Sequence, residues 1–193
     1  MATKQPGERK LQILQTVAEM LEQPKGEKIT TAALAARLDL SEAALYRHFA
    51  SKAQMFEGLI EFIEQTVFGL INKITQEEKS GVKQIEAVIA MLFNFAQKNR
   101  GMTRVLTGDA LVNEDERLQQ RINQLLDRIE ATLKQSLRIA ATQGELGEAV
   151  DVGAHANLLV CYVIGRWAQF AKSGFTREPM ALWPAQAAIL LSK

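Results

Sequence analysis

The chain has one cysteine, Cys161, and two histidines, His48 and His155, in 193 residues. No intrachain disulfide can form, and the three side chains lack the close spacing of a transition-metal site, so neither a disulfide scaffold nor a metal centre is expected. No apolar run is longer than the eight residues 158–165, against roughly 18 or more for a membrane-spanning helix. Residues 1–10 are polar and lack the apolar stretch of a secretory signal, which leads to the expectation of a cytoplasmic protein. Neither sign of charge is in excess: Lys and Arg number 23, Asp and Glu 22, and the net charge is +1. Residues 1–52 hold a surplus of +2 and the remainder −1, less basic than a stand-alone nucleic-acid-binding domain usually is. Also missing are a Ser/His/Asp order, a paired-carboxylate signature, a Walker loop and a Gly-x-Gly-x-x-Gly turn. Catalysis has nothing to start from, and we expect no enzyme and no cofactor.

What is present is a hydrophobic content of 47%, enough for a sizeable core in one globular protein. Glycine and proline gather at 6–7, 24–26, 144–147, 174–179 and 184, and between these breaks the apolar residues keep helical spacing. Leu11, Leu14, Val17, Ala18 and Leu21 predict an amphipathic helix over 8–23, closed at 24–26. A second helix spans 30–38, with Thr30 or Thr31 as its N-cap, and a third spans 42–49 after the turn Asp39-Leu40-Ser41. Ser51-Lys52-Ala53-Gln54 has the form of a capping box and starts a long helix to about residue 79. Five more follow, at roughly 82–99, 102–110, 114–143, 151–173 and 179–192. The fold class is therefore all-α, with about nine helices: a helix-turn-helix domain over 1–52 and a helical body over 53–193.

Helices two and three, braced by the first, form a helix-turn-helix candidate. If Leu45 and Phe49 point into a three-helix core, a 100° step per residue puts Ala43 and Arg47 on the opposite face, flanked by Ala44 and Tyr46. Alanines there let the backbone approach base edges, Arg47 offers a fork to guanine or phosphate, and Tyr46 can donate to phosphate. Lys52 starts the next helix, where the helix dipole already favours an anion. Spacing alone leaves open two small helices that merely pack. The run Ala43-Ala44-Leu45-Tyr46-Arg47-His48-Phe49, then Ser51-Lys52 and Met55-Phe56, resembles the signature of TetR-family regulators. That resemblance implies dimers with N-terminal DNA-binding domains on a helical body.

Three further stretches are similar to the nucleoid-occlusion branch of that family: residues 59–64, 103–108 with Ala110-Leu111, and 121–125 with Arg128-Ile129-Glu130. Proteins of that branch bind chromosomal sites as dimers and, from the nucleoid, antagonise assembly of the division protein FtsZ. The resemblance implies DNA contacts at Thr30, Thr31, Tyr46, His48 and Lys52, and an FtsZ-binding surface at Phe62, Lys98 and Asn99. Lys98 stands where the branch carries Arg, Gly69-Leu70 where it carries Thr-Arg, and Asn94 where it carries Gly. Each of these departures would alter that groove. The alternative within the family is a ligand-responsive transcriptional repressor.

The dimer is expected to use two apolar stripes with small residues, Ala154, Leu158, Tyr162 and Gly165 on the eighth helix and Ala185, Ala188 and Leu191 on the ninth. Phe93, Phe95, Tyr162, Trp167 and Phe170 could line a ligand cavity or form ordinary packing. His155, on an otherwise apolar helix, reads as a satisfied core or interface residue. The segment Asn113-Glu114-Asp115-Glu116-Arg117, with three acids, reads as a helix start, because the dipole favours acids there.

Overall fold

The computed structural model describes residues 6–23, 29–147 and 150–192. The turn at 24–26 that was expected to close the first helix lies outside the described residues. Among the described residues there are nine α-helices and no strand: α1 (Pro6–Leu21), α2 (Thr31–Arg37), α3 (Glu42–Tyr46), α4 (Lys52–Glu77), α5 (Gly81–Lys98), α6 (Arg100–Leu106), α7 (Glu116–Thr142), α8 (Val152–Lys172) and α9 (Trp183–Leu190). Short 3₁₀ turns at Asp109–Leu111 and Pro179–Leu182 precede α7 and α9. None of these helices is long and apolar enough to cross a membrane.

The short N-terminal helices owe their limits to local chemistry. Thr30 is the N-cap of α2, its hydroxyl accepting from the Ala33 amide at 3.1 Å. The end of α2 is a Schellman turn, in which Leu40 N–H reaches the Ala35 carbonyl and Asp39 N–H the Ala36 carbonyl. Asp39 takes the left-handed conformation that such a turn requires (φ 53°), which a short polar side chain tolerates better than most. Ser41 then caps α3 through the Ala44 amide at 3.1 Å, and Ser51 caps α4 through Gln54 at 3.2 Å. Gln54 returns the contact to the amide of Ala50, one residue before the cap, so the capping-box reading is met with a one-residue offset.

Ile13, Val17, Leu34, Leu45 and Phe49 are buried beneath α3, as the alternation of faces required. Burying a side chain of this size contributes roughly 1.5–3 kcal/mol. The same core runs without a break into the body, where α7 packs on α5 and α8, and α4 on α5 and α7. The N-terminal unit docks through α1, which crosses α6 at Gly101. A Cβ there would stand 1.9 Å from the Ala18 carbonyl oxygen, so only glycine allows the two backbones to meet. At the opposite end of the body, Gln143 and Glu145 accept from the Gly81 and Val82 amides and cap α5. The Ser80 hydroxyl, then the Val82 amide, holds the Glu145 carboxyl below its ordinary value.

Three boundaries differ from the sequence reading. Helix α3 stops at Tyr46, because the His48 and Phe49 amides both turn back to the Leu45 carbonyl. Helix α6 ends before Gly108, whose φ of 80° breaks the run into a 3₁₀ turn. The single helix expected over 179–192 is two pieces, since Pro184 sits at the start of α9 and cannot donate to the turn before it.

Candidate DNA interface and partner groove

On the outer face of α3, Ala43, Tyr46 and Arg47 are exposed and Ala44 and His48 are half-buried, while Leu45 and Phe49 point inward. Thr30 and Thr31 stand beside them at the start of α2. A hydrogen-bond relay joins the two helices: Tyr46 Oη donates to Thr31 Oγ1 at 3.5 Å, and Thr31 Oγ1 donates to Glu42 Oε2 at 2.6 Å. The structure thus gathers Thr30, Thr31, Ala43, Ala44, Tyr46, Arg47 and His48 on one end of the molecule. Glu42 was missed by sequence reasoning, where an acid at a helix start looks like a dipole partner only.

Lys52 is placed differently. Its ammonium pairs with Glu114 from the segment before α7 and lies 5.7 Å from the centre of the Phe56 ring. Both members of the pair are largely covered. The pair borders a crevice of about 130 Å³ between the N-terminal unit and the body, shared with Met20, Leu21, Arg104 and Asp109. A second bridge follows along α4, where the Arg121 guanidinium meets Glu64 at 2.7 Å and the Glu57 carbonyl at 3.3 Å. Its hydrogen bond to the Glu64 carboxylate holds the Arg121 guanidinium further into its charged form. Sequence spacing carries no sign of either bridge, since the Lys52 and Glu114 positions are 62 residues apart.

A second surface lies on α4 and α5. Leu70, Met91, Asn94, Phe95, Lys98 and Asn99 enclose an open groove of about 520 Å³. Phe62, 38% exposed, sits eight residues before Leu70 on α4, outside the groove's lining. Asn99 links α5 to α6 and spends its amide N–H on the Phe95 carbonyl at 2.8 Å. Leu70 and Asn94, the departures noted from sequence, are both in this groove.

Ala154, Leu158, Gly165, Ala185 and Ala188 are exposed on α8 and α9, together with Cys161 and Ile189. Two of the expected interface residues turn inward instead. Leu191 is buried in the subunit's own core, and Tyr162 packs on Phe93 and Trp183 and donates to Gln186. Phe93, Trp167 and Phe170 are fully buried, and Trp167 Nε1 donates to the Leu92 carbonyl. These aromatics are packing residues. His155 Nε2 donates to the Leu190 carbonyl at 2.7 Å and ties α8 to α9.

Comparison with known proteins agrees with this arrangement. Residues 13–59 match the model of bacterial regulatory proteins of the tetR family, and residues 79–193 match that of the tetracyclin repressor-like C-terminal domain of the SlmA-like type. The chain belongs to the tetR family of bacterial regulatory proteins, in the branch with an SlmA-like C-terminal domain. It is 49% identical over 183 residues to the nucleoid occlusion factor SlmA of Marinomonas sp. (strain MWYL1), covering 95% of this chain and 93% of that one. With the SlmA of Alteromonas mediterranea the identity is 50% over 171 residues, covering 89% and 88%. Among solved structures, the regulator FadR of Bacillus subtilis in complex with stearoyl-CoA aligns with a TM-score of 0.76 at 17% identity, covering 94% of this chain and 97% of that one. AibR in complex with isovaleryl coenzyme A and operator DNA aligns with a TM-score of 0.75 at 17% identity, covering 95% and 98%. At that identity the solved structures share the fold alone.

Proposed function

We propose that the protein is a nucleoid occlusion factor: a homodimer that binds specific DNA sites and, while bound, inhibits assembly of FtsZ over the chromosome. The observation that carries this reading is the exposed α3 face, Ala43, Tyr46 and Arg47 above a core of Leu45 and Phe49, in a chain nearly half identical to SlmA proteins along most of its length. Residues 1–52 serve as the DNA-binding domain and 53–193 as the body, in the cytoplasm and on the nucleoid. Thr30, His48 and Lys52 anchor the DNA backbone, Thr31 and Tyr46 line the same face with their hydroxyls joined to each other, Ala43, Ala44 and Arg47 meet base edges, and the two α3 helices of a dimer enter successive major grooves. Phe62, Lys98 and Asn99 receive FtsZ along α4 and α5. The exposed apolar face of α8 and α9 forms the two-fold interface.

The test is sedimentation of FtsZ polymers with the full chain, with and without a duplex selected by its own binding. Loss of polymer only with the cognate duplex is the expected result. Intact polymers beside tight, specific DNA binding would replace this reading with a ligand-responsive repressor. The dimer has its own test. Ala188→Glu puts a charge on the exposed α9 face and should give monomers in sedimentation velocity, whereas an unchanged dimer moves the interface elsewhere.

A further inference from the structure

Glu42 is the first residue of α3 and the sole carboxylate in the segment 40–52. An acid on a face that meets phosphates opposes binding through charge, so affinity does not explain its place there. Its geometry does have an explanation. Oε2 accepts from Thr31 Oγ1 at 2.6 Å, and Thr31 in turn accepts from Tyr46 at 3.5 Å. The relay fixes the side chain between α2 and α3 while the carboxylate remains exposed and keeps acceptor capacity to spare. Ala43 and Ala44 follow it and allow the backbone to come near the bases. The N-terminal residues of a recognition helix are the ones that contact base edges.

A carboxylate can only accept. In the major groove guanine presents two acceptors, adenine an acceptor beside its amino group, and thymine an acceptor beside a methyl; cytosine alone presents a donor without an acceptor of its own. We propose that Glu42, held by Thr31 and Tyr46, is a specificity-determining residue that selects one cytosine in each half-site through its N4 amino group. The inference rests on the DNA-binding reading above and assigns a base preference within it. Binding is traded for selectivity: the carboxylate repels random duplex and is repaid only at the matching base.

Site selection from a random duplex library with the full-length protein, followed by competition with single-base variants, tests this. Replacing the chosen C·G pair in one half-site should weaken the wild-type complex about five- to tenfold. Glu42→Ala should lose the preference at that pair alone and bind random duplex at least as well as before. Glu42→Gln, which can pair with adenine N6 and N7, should move the preference to A·T. The DNA can be altered instead of the protein: N4-methylcytosine at the chosen position keeps Watson–Crick pairing but turns its methyl toward the groove, and should weaken wild-type binding to a similar degree. Unchanged base preference in Glu42→Ala, or full affinity for the methylated duplex, overturns the inference and leaves Glu42 as a partner for Thr31. A wild-type selection that enriches no sequence overturns the DNA-binding reading itself, and this inference with it.

Discussion

The N-terminal unit and the body are held in order by different means. Helices α2 and α3 have seven and five residues, and each begins with a hydroxyl cap. Helices this short are marginal by themselves, since isolated helices below about 12–15 residues gain too little from their own hydrogen bonds. Helices α4 and α7, with 26 and 27 residues, need less help and carry buried stripes along their length. The surface proposed to face DNA is thus the part with the least stability of its own, and it is kept in place by docking α1 on α6 and by the Lys52–Glu114 bridge at the start of α4. A rigid body lends order to a small reading head.

The comparison breaks most easily at the docking point. Gly101→Ala forces a methyl against the Ala18 carbonyl, and overpacking of this kind costs about 1–3 kcal/mol. Chemical unfolding should show that loss together with weaker DNA binding. Gly69→Ala on α4 is the control, because nothing stands within 4 Å of the added carbon; it should gain up to about 1 kcal/mol from helix propensity. A harmless Gly101→Ala would mean that the two units are joined elsewhere.

A smaller effect sharpens the role of the bridge. In the free protein Glu114 occupies the Lys52 ammonium, the group the family resemblance assigns to DNA. Glu114→Gln should release it and tighten DNA binding by about two- to fivefold, the range expected for a partly covered ion pair. Fluorescence anisotropy decides: a weaker complex would show that Glu114 holds Lys52 in its working position.

The smallest effect belongs to Asp115, the cap of α7. Hydrogen bonding from the Arg117 side chain, then its amide, brings the carboxyl down to about 2. Since the folded value lies below the unfolded one, the contribution is complete above about pH 4 and is lost as pH falls through the folded value. Asp115→Asn should therefore lower the thermal midpoint slightly at pH 7, with the gap to wild type closing on acidification. A gap that stays constant down to pH 2.5 would assign the effect to something other than ionisation.

Much of this was legible in advance because the relevant physics is local. The cap at Thr30, the capping box at Ser51 and Gln54, and the inward Leu45 and Phe49 follow from residue types at fixed spacing. What spacing could not reveal is contact between distant segments: Lys52 with Glu114, Arg121 with Glu64, and Gly101 with Ala18. A different failure affected the last helix. The stripe Ala185, Ala188, Leu191 was continued in three-residue steps, which drift by about 60° each on an α-helix, to a residue just past the end of α9, and Leu191 comes inward while Ile189 faces out. Glu42 was overlooked because its partner Thr31 is eleven positions away on another helix.

The core that passes unbroken from α1 to α9 bears on transplantation. Residues 1–52 do not form a cassette that can be cut out and fused to a foreign body. Severed there, the fragment would leave Phe49 and Leu14 without Gly58 of α4, against which they lie, and Lys52 without its acid. A chimera meant to redirect this reading head to a new partner has to inherit α4, α6 and the segment around Glu114, and exchange only what lies beyond them.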